Sequence, residues 1–103
     1  MNAQEIRLKI AEMKGLTNVY IGNIPNWPEV IADADFLLDE VQSAGDGYEL
    51  SNIVYYETKV WLQECVIYSP IGGGDISKKF TAKAETRAMA ISTAWIAWKE
   101  SQK

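Results

Sequence analysis

Four of the chain's ten basic residues lie within ten positions of one another, at Lys78, Lys79, Lys83 and Arg87, opposed there only by Glu85. Three ammonium groups and a guanidinium at this spacing could bind a small anionic ligand, and Arg87 could hold a phosphate or carboxylate through two parallel hydrogen bonds. Lysines on an edge strand have a second use, because they discourage pairing with other sheets. The pattern leaves both interpretations open: an anion site that uses Lys83 and Arg87, or a protected sheet edge.

Aromatic side chains form a second group that could bind a nucleotide base or a protein partner. Two of them, Tyr20 and Trp27, lie in "LTNVYIGNIPNWPEV", where one glycine and two prolines interrupt any periodicity and predict an exposed loop. Both are therefore candidate ligand-binding residues. Trp27 has an alternative role, which is to pack this loop onto the helix that follows. Trp61 and Tyr68 are instead expected to pack on a sheet.

Catalytic chemistry has little support in the residue types present. The chain contains no histidine, which excludes histidine-activated nucleophiles and histidine-containing zinc sites within one chain, and Cys65 is its only cysteine. In the acidic run "EVIADADFLLDE", Asp33 and Asp35 are about 200° apart on a helix, so they cannot share an ion, and only Asp35 and Asp39 have i,i+4 spacing. "IGGGD" lacks the Gly-Lys-Ser/Thr ending of a phosphate-binding loop. We predict no catalytic residue, metal or cofactor.

Length, charge and hydropathy limit the number of domains and the kinds of partner that this protein can have. With 103 residues, 48% of them hydrophobic, the chain is expected to form a single domain over residues 1–103. Its net charge of −4 argues against nucleic acid and anionic membranes as partners. We find no apolar stretch of about 18 residues and no apolar block typical of a signal peptide. The sequence predicts a cytoplasmic protein that does not span a membrane.

Periodicity predicts two helices before the Asp46-Gly47 turn. The first covers residues 3–14 and ends at Gly15. The second runs from about Pro28 to Ser43, with Asn26 and Glu29 forming a capping box. Its buried stripe should consist of Val30, Ile31, Ala34, Leu37, Leu38 and Val41.

After that turn the period changes to two, which predicts three antiparallel strands. "YELSNIVYY" and "KVWLQECVIY" should form a hairpin around Glu57-Thr58, and "KKFTAKA" a short third strand after the loop "SPIGGGDIS". Neither face of the second strand is fully polar, so helices could cover both sides of the sheet. The last helix follows directly. The predicted fold class is α+β, a sandwich-like three-stranded antiparallel sheet with helices packed on it in the order α-α-β-β-β-α.

The last helix, within "FTAKAETRAMAISTAWIAWKES", should be a main source of stability. At 100° per residue one side of it carries two tryptophans and smaller apolar residues, which predicts a core face. Met89, Thr93 and Ile96 lie on the other side and could form a self-association strip. The predicted core face consists of Ala84, Ala88, Ile91, Trp95 and Trp98.

The order of "PNWPEVIADADFLLDEV", "GYEL", "KVWLQECVIY" and "KAETRAMAISTAWIAW" resembles the phage α-β-α sandwich domain, a family of small phage and prophage proteins. The resemblance covers most of the chain from Pro25 onward. The family's last helix commonly begins with an acid-Thr pair, as Glu85-Thr86 does here, and continues Ala-Ile-Cys-Arg-Ala. Ser92 and Thr93 depart from that pattern. The resemblance implies an accessory phage gene product.

Together these features predict a non-catalytic phage or prophage accessory protein that binds a small anionic ligand or a host protein and forms a homo-oligomer. The ligand-binding candidates are Tyr20, Trp27, Lys83 and Arg87. Two narrower alternatives stay open: a host-defence antagonist that sequesters a nucleotide signal, and a structural or assembly protein of a phage.

Overall fold

The computed structural model describes residues 2–16, 23–55, 60–70 and 77–102. It confirms the predicted α+β class, with three helices and a three-stranded antiparallel sheet in the expected order. The helices and strands are α1 (Ala3–Met13), α2 (Ile31–Ser43), β1 (Gly47–Tyr55), β2 (Val60–Pro70), β3 (Ser77–Ala84) and α3 (Arg87–Glu100).

The first helix begins and ends on local signals. The Asn2 side chain accepts a hydrogen bond from the Glu5 amide at 2.8 Å, which satisfies one of the free N–H groups at the start of α1. Beyond its end, Gly15 adopts φ +78°, a left-handed conformation that favours glycine. These signals place Ile6 and Ile10 of α1 in the core.

The second helix begins at Ile31, so the predicted start at Pro28 and the capping box of Asn26 and Glu29 are wrong. Residues 27–29 form a turn in which the Asn26 carbonyl accepts from the Val30 amide at 2.8 Å. Asp33 accepts from the Asn26 amide at 2.7 Å and holds this turn against the helix.

The expected buried stripe of α2 is only partly confirmed. Ala34, Leu37, Leu38 and Val41 are buried, whereas the side chains of Val30 and Ile31 are exposed. The helix therefore contributes its middle and its end to the core, and its first turn lies outside.

The sheet has the order β1-β2-β3, and its core-facing side chains share one face. Leu50, Cys65 and Ala82 lie side by side across the three strands, and Cys65 and Ala82 are buried. No described side chain on the opposite face is buried. The helices therefore cover one face of the sheet, not both. A helix that closed the other face would have had to bury residues such as Glu64 and Lys83.

Trp61 is 63% exposed, so the expectation that it packs on the sheet is wrong. The last residue pair between β2 and β3 is Gln63 with Ala84, and β1 and β2 continue beyond it as a two-stranded ribbon. Trp61 lies on this ribbon, past the end of β3.

The third helix is the centre of the molecule. It contacts α1, α2, β2 and β3. Trp95 and Trp98 are buried, as predicted, together with Ala88 and Ile91. Ile96 is also buried, whereas Thr93 is exposed and Met89 half-buried, so the expected strip of Met89, Thr93 and Ile96 is only partly open to solvent.

No helix in the described part of the chain is long and apolar enough to cross a membrane.

Candidate ligand pocket

A cavity of about 320 Å³ lies where α1, β3 and α3 meet. Its walls come from these three elements, which are brought together only by the fold. The lining residues are Ile6, Lys83, Ala84, Met89, Thr93 and Ile96.

One side of α3 supplies half of the lining. Met89, Thr93 and Ile96 follow one another at spacings of four and three, so they form a continuous stripe along the helix. The start of that helix is set by Thr86, whose hydroxyl accepts from the Met89 amide at 3.3 Å. This cap fixes the position of Met89 relative to the end of β3.

The pocket is apolar apart from two side chains. Thr93 supplies a hydroxyl, while Ile6, Ala84, Met89 and Ile96 offer hydrocarbon or thioether surface. Lys83 also belongs to the lining, but its ammonium group lies beside Glu64 on the face of the sheet that the helices do not cover. The chemistry of such a cavity suits a ligand with an apolar body and few polar groups.

Lys83 forms a weak ion pair within the sheet. Its Nζ lies 4.0 Å from Oε2 of Glu64 on the neighbouring strand, and its side chain is 45% exposed. Glu64 also accepts a hydrogen bond from the Ser51 hydroxyl at 3.4 Å. An ion pair this long and this accessible to water contributes little free energy, and it lies on the face of the sheet that the helices do not cover.

The basic segment is divided by the structure. Lys83 lines the pocket, whereas Arg87 begins α3 with an exposed side chain and is not part of the lining. Lys78 and Lys79 lie toward the opposite end of β3, with their Nζ atoms 5.5 Å from the ring centres of Phe80 and Tyr68 respectively. The structure therefore does not gather these four cations at one site.

Trp27 is only 3% exposed, so the prediction that the loop presents it to solvent is wrong. The turn that contains it folds back onto the core beside Ile24, and Arg7 of α1 donates hydrogen bonds to the carbonyls of Ile24 and Pro25. A ring enclosed in this way offers no free face to a ligand. Tyr20, the other aromatic candidate, lies outside the described residues.

A polar cluster on the helical side of the molecule was not anticipated from the sequence. Glu40, in the acidic run of α2, accepts from Trp95 Nε1 at 2.9 Å and lies 3.3 Å from Lys14 Nζ. Asp46 accepts from Trp98 Nε1 at 2.7 Å. The indole donors lie on α3, and their acceptors lie on α2 and just after its end. Because these donors are buried, the cluster holds α2 and α3 together, and we assign it a role in stability.

Cys65 is buried at the centre of the sheet. Its burial, and to a smaller extent the negative charge of Glu64, raises the pKa of its thiol to about 12. A thiol with so high a pKa is protonated at neutral pH and is a poor nucleophile. In the part of the chain that the structure describes, no group of three or more acidic, histidine or cysteine side chains could hold a metal ion.

Lys83 was predicted from the sequence as a ligand-binding residue, whereas Met89, Thr93 and Ile96 were predicted to form a self-association strip. The contribution of Ile6 was missed, and the only sequence signal for it is its place on the apolar stripe of α1. Comparison of the chain with protein-family models, curated proteins and solved structures gave no match in any of the three. The resemblance to the phage α-β-α sandwich family thus stays a prediction.

Proposed function

We propose that this protein is a non-catalytic binding protein whose ligand site is the pocket between α1, β3 and α3. The observation that carries the proposal is the 320 Å³ cavity, whose lining residues are apolar apart from Thr93 and Lys83. Ligand pockets typically span about 300 to 1,000 Å³, which indicates a small ligand here.

A binding role is favoured over a catalytic one by the side chains at the site. General acid-base chemistry needs titratable groups placed around the reacting atoms, and nucleophilic catalysis needs a nucleophile with an activating base. Lys83 and Thr93 are the only polar residues of the lining. The lining contains no carboxylate that could activate the Thr93 hydroxyl as a nucleophile. The arrangement suits holding a molecule rather than transforming it.

The wider role rests on the resemblance to small phage proteins. A phage accessory protein in the host cytoplasm could act by sequestering a host metabolite, and an apolar pocket suits that action. A nucleotide signal is less well supported, since Trp27 is buried and Arg87 is not part of the lining. A structural or assembly role would instead require a stable high-order oligomer, which light scattering of the purified protein would reveal.

The test is an NMR titration of isotopically labelled protein with 1-decanol, an uncharged probe with a flexible apolar chain. We expect saturable shifts of the Met89 methyl group and of the Ile6 and Ile96 amides. Thr93→Trp places a large side chain on the lining and should weaken binding at least about tenfold, a loss comparable to excluding about two buried methylenes.

Gln42→Trp is the matched control, because it adds the same side chain at an exposed position on α2. It should leave decanol affinity unchanged. If decanol binds both tryptophan variants as tightly as the original protein, the pocket is not the site. If no saturable shift occurs with the original protein, the proposed function is wrong.

A further inference from the structure

We propose that the pocket receives an apolar side chain from an extended, acidic segment of a partner protein, and that this segment pairs with the outer edge of β3 as a fourth strand. The inference rests on the proposed function, because the partner's side chain fills the same pocket. It is drawn from the place of the pocket beside β3 and from the charges that β3 carries on the other face of the sheet.

The pocket lies beside the outer edge of the sheet. Lys83 and Ala84 of β3 belong to its lining, whereas no residue of β1 or β2 does. Among the described residues β3 pairs with β2 alone. Such an edge strand presents a row of backbone N–H and C=O groups to an incoming strand. A segment that pairs there therefore lies directly against the cavity.

Lys83 reaches the pocket through its main chain. Its side chain points away from the helices, because it lies opposite Glu64 on the uncovered face and its Nζ is 4.0 Å from that carboxylate. The side chain of the next residue, Ala84, lies on the helical face, where Ile6 and Met89 complete the wall. At the pocket β3 thus offers a backbone edge and a methyl group. Strand addition uses such an edge for affinity and an adjoining pocket for specificity.

The uncovered face of β3 predicts the charge of the partner. Lys79 and Lys83 are exposed on this face, and β3 contains no acidic residue. Lys83 has a long ion pair with Glu64, and the Nζ of Lys79 lies 5.5 Å from the centre of the Tyr68 ring. Side chains opposite each other on neighbouring strands share a face, and opposite charges there attract. The partner residues opposite the two lysines should therefore be acidic.

The two faces together define a pattern in the partner. Residues opposite Lys79 and Lys83 meet ammonium groups, whereas residues on the other face point toward the helices. On that face β3 carries the apolar side chains of Phe80, Ala82 and Ala84, of which Ala84 lines the pocket. The partner segment should therefore alternate acidic and apolar residues, with its pocket side chain beside Ala84.

A second copy of this chain fits the edge less well than a different protein. Pairing of β3 with the β3 of another copy would bring the lysines of both strands together, and like charges on adjacent strands are unfavourable. Pairing of β3 with another copy's β1 would be a head-to-tail contact, which generates rings or filaments. The lysines that guard this edge against its own copies thus select an acidic partner.

The experiment is an NMR titration of the isotopically labelled protein with a synthetic peptide of about seven residues that alternates glutamate with leucine or valine. We expect saturable shifts of the Lys83 and Ala84 amides and of the Met89 methyl group. The same peptide with lysine in place of glutamate should bind at least about tenfold more weakly, because each attractive cross-strand pair becomes repulsive. Thr93→Trp should weaken binding of the glutamate peptide, whereas Gln42→Trp should not.

Methylation of the peptide's backbone nitrogens tests strand pairing directly. Successive residues of a strand direct their N–H groups toward opposite edges, so the glutamates and the apolar residues use different edges. One peptide is therefore methylated at the glutamates and another at the apolar residues. One of the two should lose binding and the other should retain it. Equal affinities of the two methylated peptides would overturn pairing with β3.

Neutral variants of the lysines test the acidic character of the partner. Lys79→Gln combined with Lys83→Gln should remove the preference for the glutamate peptide over the lysine peptide. Lys78→Gln is the matched control, because Lys78 precedes Lys79 on β3 but lies at a position of the opposite face, and it should largely preserve that preference. A preference that survives the double substitution would overturn the acidic partner.

The remaining outcomes separate this inference from the proposed function. If decanol binds and the glutamate peptide does not, the inference is wrong and the pocket remains a ligand site. If neither probe binds, the proposed function is wrong as well. A stable dimer or filament of the protein alone, with the β3 amides protected from exchange, would assign the edge to a second copy and overturn the choice of partner.

Discussion

Trp95 of α3 donates its indole N–H to Oε2 of Glu40 on α2 at 2.9 Å, across a sequence separation of 55 residues. The same carboxylate lies 3.3 Å from Lys14 and 3.8 Å from Lys99, so one side chain links the end of α1 with α2 and α3. A buried indole N–H without an acceptor would cost free energy, and Glu40 removes that cost. The acidic composition of α2 thus has a structural use at this position.

Replacement of Glu40 by alanine should lower the free energy of unfolding by about 1 to 3 kcal/mol, because the Trp95 N–H and the Lys14 ammonium lose their acceptor. Glu40→Gln keeps an oxygen acceptor and should cost less. Urea unfolding followed by tryptophan fluorescence measures both changes. The neighbouring exposed residue Asp39 provides the control, since Asp39→Ala should change stability by less than about 0.5 kcal/mol. Equal losses at the two positions would contradict a special role for Glu40.

Ser92→Ala should stabilise the protein. The Ser92 hydroxyl is fully buried within α3 and has no hydrogen-bond partner among the described residues, an arrangement that costs about 1 to 3 kcal/mol in desolvation, and alanine is the better helix former. We expect a gain of about 1 kcal/mol by urea unfolding. Ser43→Ala, at the exposed end of α2, should show a much smaller effect. A clear loss of stability in Ser92→Ala would indicate that the hydroxyl has a partner after all.

Gly45→Ala should destabilise the protein by roughly 1 to 2 kcal/mol, because Gly45 has φ +88° and an L-residue is strained there. Gly47→Ala is a close comparison two residues later, where the backbone is not left-handed. An added Cβ would meet no atom within 4 Å at either position, so sterics with neighbours cannot explain a difference. Thermal unfolding of the two variants tests this, and equal midpoints would contradict it.

The buried thiol of Cys65 predicts a pH dependence in alkaline solution. Its pKa is about 12 in the folded protein and 9.0 ordinarily, so between these values the unfolded chain loses a proton that the folded protein keeps. Stability should therefore fall as pH rises above 9, with a slope approaching about 1.4 kcal/mol per pH unit from this group. Below pH 9 the thiol should contribute no pH dependence.

Urea unfolding of the original protein and of Cys65→Ala at about pH 8 and pH 10 isolates the thiol. The variant should lose less stability between the two conditions, although the missing sulfur atom lowers its stability at both. The pKa of Tyr68 is also raised, chiefly by its hydrogen bond to Glu49, but that contribution is common to both proteins. Identical pH profiles would show that the Cys65 thiol titrates in the folded state as it does in the unfolded one.

The order of elements followed from local rules. Helical spacing in residues 3–14, alternation in β1 and β2, and the glycine at position 15 each depend on neighbours in the chain. The core face of α3 was likewise readable, because Trp95 and Trp98 lie on one side of any helix formed by this segment. These features were confirmed because tertiary packing did not oppose them.

The errors arose where distant segments decide the outcome. Trp27 is buried because residues 23–30 fold against α1, and Trp61 is exposed because β3 ends before reaching it. The pocket joins Ile6 to Ile96, two residues whose proximity no local pattern encodes. Lys83 could be identified from its charge alone, but its pocket partners could not.

The central position of α3 also affects how the protein folds during synthesis. The strands β2 and β3 and both earlier helices pack against residues 87–100, which a ribosome makes after all of them. Until those residues emerge, Ile10, Leu37 and Ile67 have no interior to occupy and stay exposed to aggregation or to chaperones. Nascent chains arrested before α3 should therefore be degraded by proteases that spare the finished protein.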